Sequence, residues 1–201
     1  MHFPAFFDAA PRLAVRDPLA GFLGAPEDGV IEYSYADVVK AAGHSCPTVA
    51  STYLMTRAAL GSLYPNGLPE RGGIRVDLRA DRLEGATGVV ANVASFLTGA
   101  THDTGFKGIG GRFDRRNLLF FGADIVGQLR FTRVDTSATA TVSARLDRVP
   151  ADPRMALLVP KCLAGTATAN EVALFQSLWQ GRVRTLLIER ADDPDVVVVH
   201  H

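Results

Sequence analysis

The spacing of apolar and polar positions changes period along the chain, and each change marks an element. Over residues 35–62 the apolar positions recur at helical spacing. Ser34 can cap a short helix over 35–42 that Gly43 ends, and Pro47 suits the first turn of a second helix reaching about residue 62. Val49, Ala50, Tyr53, Leu54 and Leu60 form the buried side of that second helix. From Gly73 the period falls to two: Ile74, Val76 and Leu78 alternate with Arg75, Asp77 and Arg79, the signature of a half-buried strand. Residues 86–98 return to helical spacing with Gly99 at the end, and a polar, glycine-rich loop follows over 100–111. Three further strands are predicted at 117–122, 128–134 and 138–147. The threonine-rich alternation of the last suits a sheet with one wet face. Thr168 and Glu171 form the capping box of a C-terminal helix starting near 169, and Val196–Val199 predicts a short final strand.

Upstream of residue 34, Pro4, Pro11, Pro18 and Pro26 prevent long helices, so 1–33 reads as an irregular arm. Its Phe3, Phe6, Phe7, Leu19, Phe22 and Leu23 are too apolar for a free tail, and the arm is expected to pack on the domain. No repeat or low-complexity linker divides the chain. The expected fold is therefore one α+β domain over 1–201, with a mixed or antiparallel central sheet packed by helices.

Composition narrows the function classes. At 201 residues, 47% hydrophobic and 21% charged, the chain is globular. Its 21 Lys+Arg balance 21 Asp+Glu, and no basic block stands out, which argues against nucleic acid or an anionic membrane as a partner. No window approaches the roughly 18 to 20 apolar residues of a membrane span. The opening MHFPAFFDAAPRL, interrupted by an acid and two prolines, does not read as a targeting signal, so a cytoplasmic location is expected. The 2 cysteines make no disulfide framework.

The sharpest chemical feature is Gly43-His44-Ser45-Cys46-Pro47, which sets an imidazole and a thiol at a helix N-terminus. Unpaired N–H groups and the helix dipole favour a thiolate there, so Cys46 suits either a metal ligand or a nucleophile. Two ligands do not complete a metal site. His102, beside Asp103 in the polar loop, is the internal histidine left to supply a third. Cys162, among Leu157, Leu158, Val159 and Leu163, reads as a small core residue, and His2, His200 and His201 lie near the termini with no role assigned. Gly108-Ile-Gly-Gly-Arg-Phe fails the dinucleotide fingerprint, and no phosphate loop or Gly-x-Ser-x-Gly is present. Arg112, Arg115 and Arg116, accompanied by Asp114, make either a solvated strand entry or an anion-binding rim.

The segment KAAGHSCPT from Lys40 resembles the H-G-H-x-C-P-G signature of the formylmethanofuran dehydrogenase E-like family. Further on, NVASFLTGAT from Asn92 resembles that family's D-A-I-Q-x-x-T-G-C-T segment, and Gly105-Phe-Lys-Gly falls at its glycine–lysine loop. Together these cover roughly residues 35–122. The resemblance implies the family's α+β core of helix, strand, helix and three strands followed by a C-terminal helix. It also implies a transition metal, zinc above others, held through His44 and Cys46. The chain departs from the pattern at Ala42, Thr48, Val89, Asn92 and Ala100, which stand where the family has a histidine, a glycine, in some members a cysteine, an aspartate and a cysteine. His102, just past Thr101, is the expected substitute ligand. No C-x-x-C pair is present, so the zinc-ribbon extension of some relatives is absent.

Three readings follow. In the first, His44, Cys46 and His102 hold zinc with an open position, and the protein is an enzyme acting on a small molecule. Asp103 or Lys107 assists proton transfer there, and Asn92, Thr98 and Thr101 line the substrate pocket. In the second, the same site makes a non-catalytic, metal-dependent binding or accessory module of a redox system. In the third, Cys46 performs thiol chemistry without metal. A homodimer is expected from the phenylalanine-rich arm and the valine-rich tail.

Overall fold

The arm predicted to be irregular is in fact built of regular pieces. In the computed structural model, which describes residues 2–200, β1 (Leu13–Arg16) pairs antiparallel with β2 (Val30–Tyr33), and α1 (Pro18–Leu23) fills the connection. Each strand is four residues long, too short for alternation to register, and its pairing partner lies across a helix. Asp17 starts α1 by accepting from the Leu19 and Ala20 N–H groups at 2.9 and 3.3 Å. As expected, the arm packs on the domain: Phe7, Leu13 and Val15 are buried in the main core.

α2 (Tyr35–Ala42) begins at a capping box made by Ser34 and Asp37, and ends at Gly43, whose φ of 79° is left-handed. α3 (Pro47–Leu63) is the central helix. Its buried positions extend beyond the predicted side to Ser51, Thr52, Met55 and Thr56, because it is covered on several flanks at once. The two buried threonine hydroxyls satisfy themselves on backbone one turn back, Thr52 on the Thr48 carbonyl and Thr56 on the Thr52 carbonyl, both at 2.8 Å.

The main sheet follows from β3 (Ile74–Leu78), α4 (Thr87–Thr98), β4 (Leu119–Phe120), β5 (Leu129–Arg133) and β6 (Thr139–Ala144), each within or close to its predicted span. α5 (Met155–Leu163) and α6 (Ala169–Arg184) come next, α6 runs into a π-helical turn at Thr185–Glu189, and β7 (Val197–His200) closes the sheet in the order β4-β3-β5-β6-β7. β3 and β4 are parallel and the other neighbours antiparallel, so the sheet is mixed. α3 and α4 pack against it, over a core in which Ile74, Val76, Leu78, Leu129, Phe131 and Val142 are almost wholly buried. On the alternate positions of β3 and β5, Asp77, 1% exposed, is gripped by Arg75 at 2.7 Å and Arg130 at 3.1 Å.

α5 was not predicted because Pro160 lies inside it and its leucines do not keep a helical stripe. Leu157 and Leu163 are exposed and Leu158 is buried, so Cys162 is half-buried on a surface helix instead of sitting in the core. His200, assigned no role, lies in β7 with Nε2 2.8 Å from the Ser143 hydroxyl; His201 lies outside the described residues. Among the described residues no helix is long and apolar enough to cross a membrane.

Candidate functional site

Gly43 reverses the chain at the end of α2, and the next three residues carry it into α3. Cys46, at φ −148° and ψ 167°, is the N-cap of α3: its Sγ accepts the Val49 N–H at 3.4 Å, where an oxygen from Ser or Asp usually stands. His44 folds back so that Nε2 is 3.4 Å from that sulfur, and its Nδ1 is 3.1 Å from the Ala42 carbonyl oxygen. A carbonyl only accepts, so Nδ1 carries the proton and Nε2 presents its lone pair to the thiol. His44 is exposed and Cys46 is 9% exposed, so the pair is reached from solvent through the imidazole.

Ser45, between them, is turned the other way and held from four sides. Its hydroxyl donates to Gln180 Oε1 at 3.0 Å and accepts from Tyr35 at 3.1 Å, and its carbonyl accepts from Trp179 Nε1–H at 3.1 Å and Gln180 Nε2–H at 3.2 Å. Tyr35 is fully buried, and loss of solvent pushes its phenol well above the usual tyrosine value, which keeps the donor in place. Beside Ser45 opens a cavity of about 460 Å³ with Phe3, Phe7, Val39, Phe175 and Trp179 in its walls. Trp179 and Gln180 are the residues that reading the chain missed. Their only sequence signal was membership of the predicted C-terminal helix, and nothing local ties that helix to a turn 134 residues earlier.

His44 and Cys46 therefore stand in contact, and His102 and Asp103 do not join them in a three-ligand group. His102 lies beside β4, where Nδ1 meets Asp103 Oδ1 at 2.5 Å and Nε2 accepts from Arg82 at 2.8 Å, its ring 6.3 Å from that of Phe121. Both ring nitrogens are engaged. The hydrogen bond from His102 holds the Asp103 carboxyl below the usual range. Asn92 and Lys107 are exposed. Thr98 donates to the Ala94 carbonyl at 2.7 Å and Thr101 to the Arg115 carbonyl at 2.5 Å, so both hydroxyls are spent on backbone.

For zinc, the imidazole and the thiol are suitable donors, and their separation suits two ligands of one tetrahedral ion, which stand about 3.5 Å apart. Among the described residues, however, no group of three His, Cys, Asp or Glu side chains is assembled that could hold a metal. The described residues offer His44 and Cys46 and assemble no third such ligand beside them. No family model matches the chain, and no curated protein matches it in sequence.

Proposed function

We propose that the protein is a thiol enzyme acting on a small molecule, with Cys46 as nucleophile and His44 as its base. The observation that carries this reading is the 3.4 Å contact between Sγ and an Nε2 whose opposite nitrogen is pinned on the Ala42 carbonyl. A nucleophile within reach of a base, and a base oriented by a third group, is the arrangement covalent catalysis requires. The proton passes from Sγ to Nε2 while sulfur bonds to an electrophilic carbon, and the leaving group departs with that proton. The Val49 N–H and the positive end of α3 stabilise the thiolate meanwhile. The apolar cavity opens at Ser45, on the side of the turn away from the sulfur, so the substrate is met at the exposed His44 face.

A second reading, metal binding through His44 and Cys46 with the remaining positions open, is favoured by one observation: the pair already stands at the separation of two zinc ligands. Alkylation by iodoacetamide at neutral pH, followed by peptide mass spectrometry, tests the first. Cys46 should react faster than the more exposed Cys162, and His44→Ala should slow Cys46 about tenfold without changing Cys162. Equal rates at the two cysteines, or no effect of His44→Ala, would overturn the thiol reading. Elemental analysis of the same preparations tests the second: stoichiometric metal that His44→Ala removes would establish it, and metal-free protein would end it.

A further inference from the structure

A second cavity, of about 440 Å³, opens between the start of α1 and the chain after Ile109, with a polar wall of Glu70, Arg71, Gly72, Arg112, Asp114 and Arg115. Asp17 underlies it, 3% exposed, taking Arg115 Nη2–H on Oδ1 at 2.6 Å and Arg71 Nη1–H on Oδ2 at 2.9 Å. Two guanidinium groups thus share one carboxylate. Arg115 is 6% exposed, yet among the described residues its Nη1 has no hydrogen-bond partner, and neither has Arg71 Nε. Both nitrogens are closed off from solvent and Arg71 Nη2 donates to the Phe96 carbonyl at 3.0 Å, so what remains for an anion in the cavity to balance is charge, one carboxylate standing for two guanidinium groups.

The backbone is shaped to hold that arginine. A Cβ on Gly72 would stand 1.9 Å from Arg115 Nη1, and one on Gly99 2.7 Å from it, so the guanidinium occupies space that only glycines leave. Of the two acids in the wall, Asp114 is engaged by Arg116 at 2.7 Å, and Glu70 is tucked against the turn at Gly73. Arg112 is exposed at the rim, its guanidinium 4.7 Å from the centre of the Phe113 ring, which itself packs on Phe22.

We propose that this cavity binds a phosphate group, free or carried on a small molecule, with Arg71 and Arg115 at its base and Arg112 closing from the rim. Forked guanidinium donors from several directions match the many oxygens of a tetrahedral anion, where a carboxylate is satisfied by a single fork. An ion pair made only to fasten α1 accounts for Asp17 and one arginine. It does not account for a second arginine, a third at the rim and an open polar cavity between them.

Thermal unfolding of the full chain tests the proposal, since a ligand that binds only the folded state raises Tm with its concentration. Inorganic phosphate should give a saturable rise that sodium chloride at matched ionic strength does not. Arg112→Gln, which leaves the buried pairs intact, should weaken phosphate about tenfold, and Glu70→Gln, which removes a like charge, should tighten it. Arg133→Gln, whose partner Asp135 lies elsewhere, should change nothing. Phenyl phosphate distinguishes the sources: tighter binding than inorganic phosphate assigns an organic phosphate supported by Phe22 and Phe113, weaker binding assigns free phosphate. An equal response to sodium chloride, or an affinity indifferent to both Arg112→Gln and Glu70→Gln, would overturn the proposal.

Discussion

Ser45 carries no chemistry of its own, yet it fixes the direction in which its two neighbours point. Tyr35 donates to it, and it donates onward to Gln180, so one hydroxyl is both acceptor and donor in a buried chain. Ser45→Ala leaves the Tyr35 hydroxyl and the Gln180 oxygen without partners, a loss of about 1–3 kcal/mol. Tyr35→Phe leaves the bond from Ser45 to Gln180 in place and should cost the smaller amount. Urea unfolding of the two variants gives the comparison, and a costlier Tyr35→Phe would contradict this account of the chain. The asymmetry also explains what the local motif could and could not reveal. Gly-His-Ser-Cys-Pro announces its imidazole, its thiol and the helix start, all set by adjacent backbone. The orientation of Ser45 depends on side chains that arrive from α6.

Of the helices that end on left-handed glycines, α2 and α4 differ in what surrounds that residue. Gly43, φ 79°, has nothing within 4 Å of a would-be Cβ, whereas Gly99, φ 73°, has Arg115 Nη1 at 2.7 Å and Arg71 Nη1 at 3.2 Å. Gly43→Ala should therefore cost only the backbone term, about 1–2 kcal/mol. Gly99→Ala carries the same term and also displaces two guanidinium groups from Asp17, so its midpoint in a urea titration should fall further. Equal losses would mean that the arginines relax freely. Both glycines were legible as helix ends, as were α2, α3, α4, α6 and the strands β3, β5 and β6, because caps and periodicity are local. The elements that were missed carry no such local signal. β1 and β2 are four residues each and exist through pairing with each other, while α5 bears an internal proline and hides little of its surface. In the candidate site, likewise, His44 and Cys46 were legible from their spacing, and the placement of His102 beside Arg82 was not, since it depends on how a glycine-rich loop returns past β4.

At the scale of the whole molecule, Asp17 is the fastening point between the N-terminal segment and the sheet domain. It caps α1, and its two arginines come from the turn before β3 and from the approach to β4, so three distant stretches meet on one carboxylate. Burial alone would raise its pKa, but hydrogen bonds and charge from Arg71 and Arg115, with the Ala20 N–H, outweigh that and leave it below 3.8. A carboxyl whose folded value lies below its unfolded one contributes stability that is complete above the unfolded value and is lost as the pH falls through the folded one. The segment's attachment should accordingly be insensitive to pH from neutrality down to about 5 and weaken below about 4. Asp17→Asn removes the charge at every pH and leaves the buried Arg115 and the half-buried Arg71 without their anion, a loss of about 3 kcal/mol at pH 7. Chemical denaturation of both proteins across a pH series should show a gap that is constant near neutrality and narrows as acid protonates Asp17 in the unmodified chain. Other depressed carboxyls, such as Glu171 at about 2, are present in both proteins and cancel in the difference. A gap that stayed constant into strong acid would show that Asp17 binds its proton equally in the folded and unfolded chains, so that the arginines do not stabilise its charge. That result would also remove the buried ion pairs on which the arginine cavity is built.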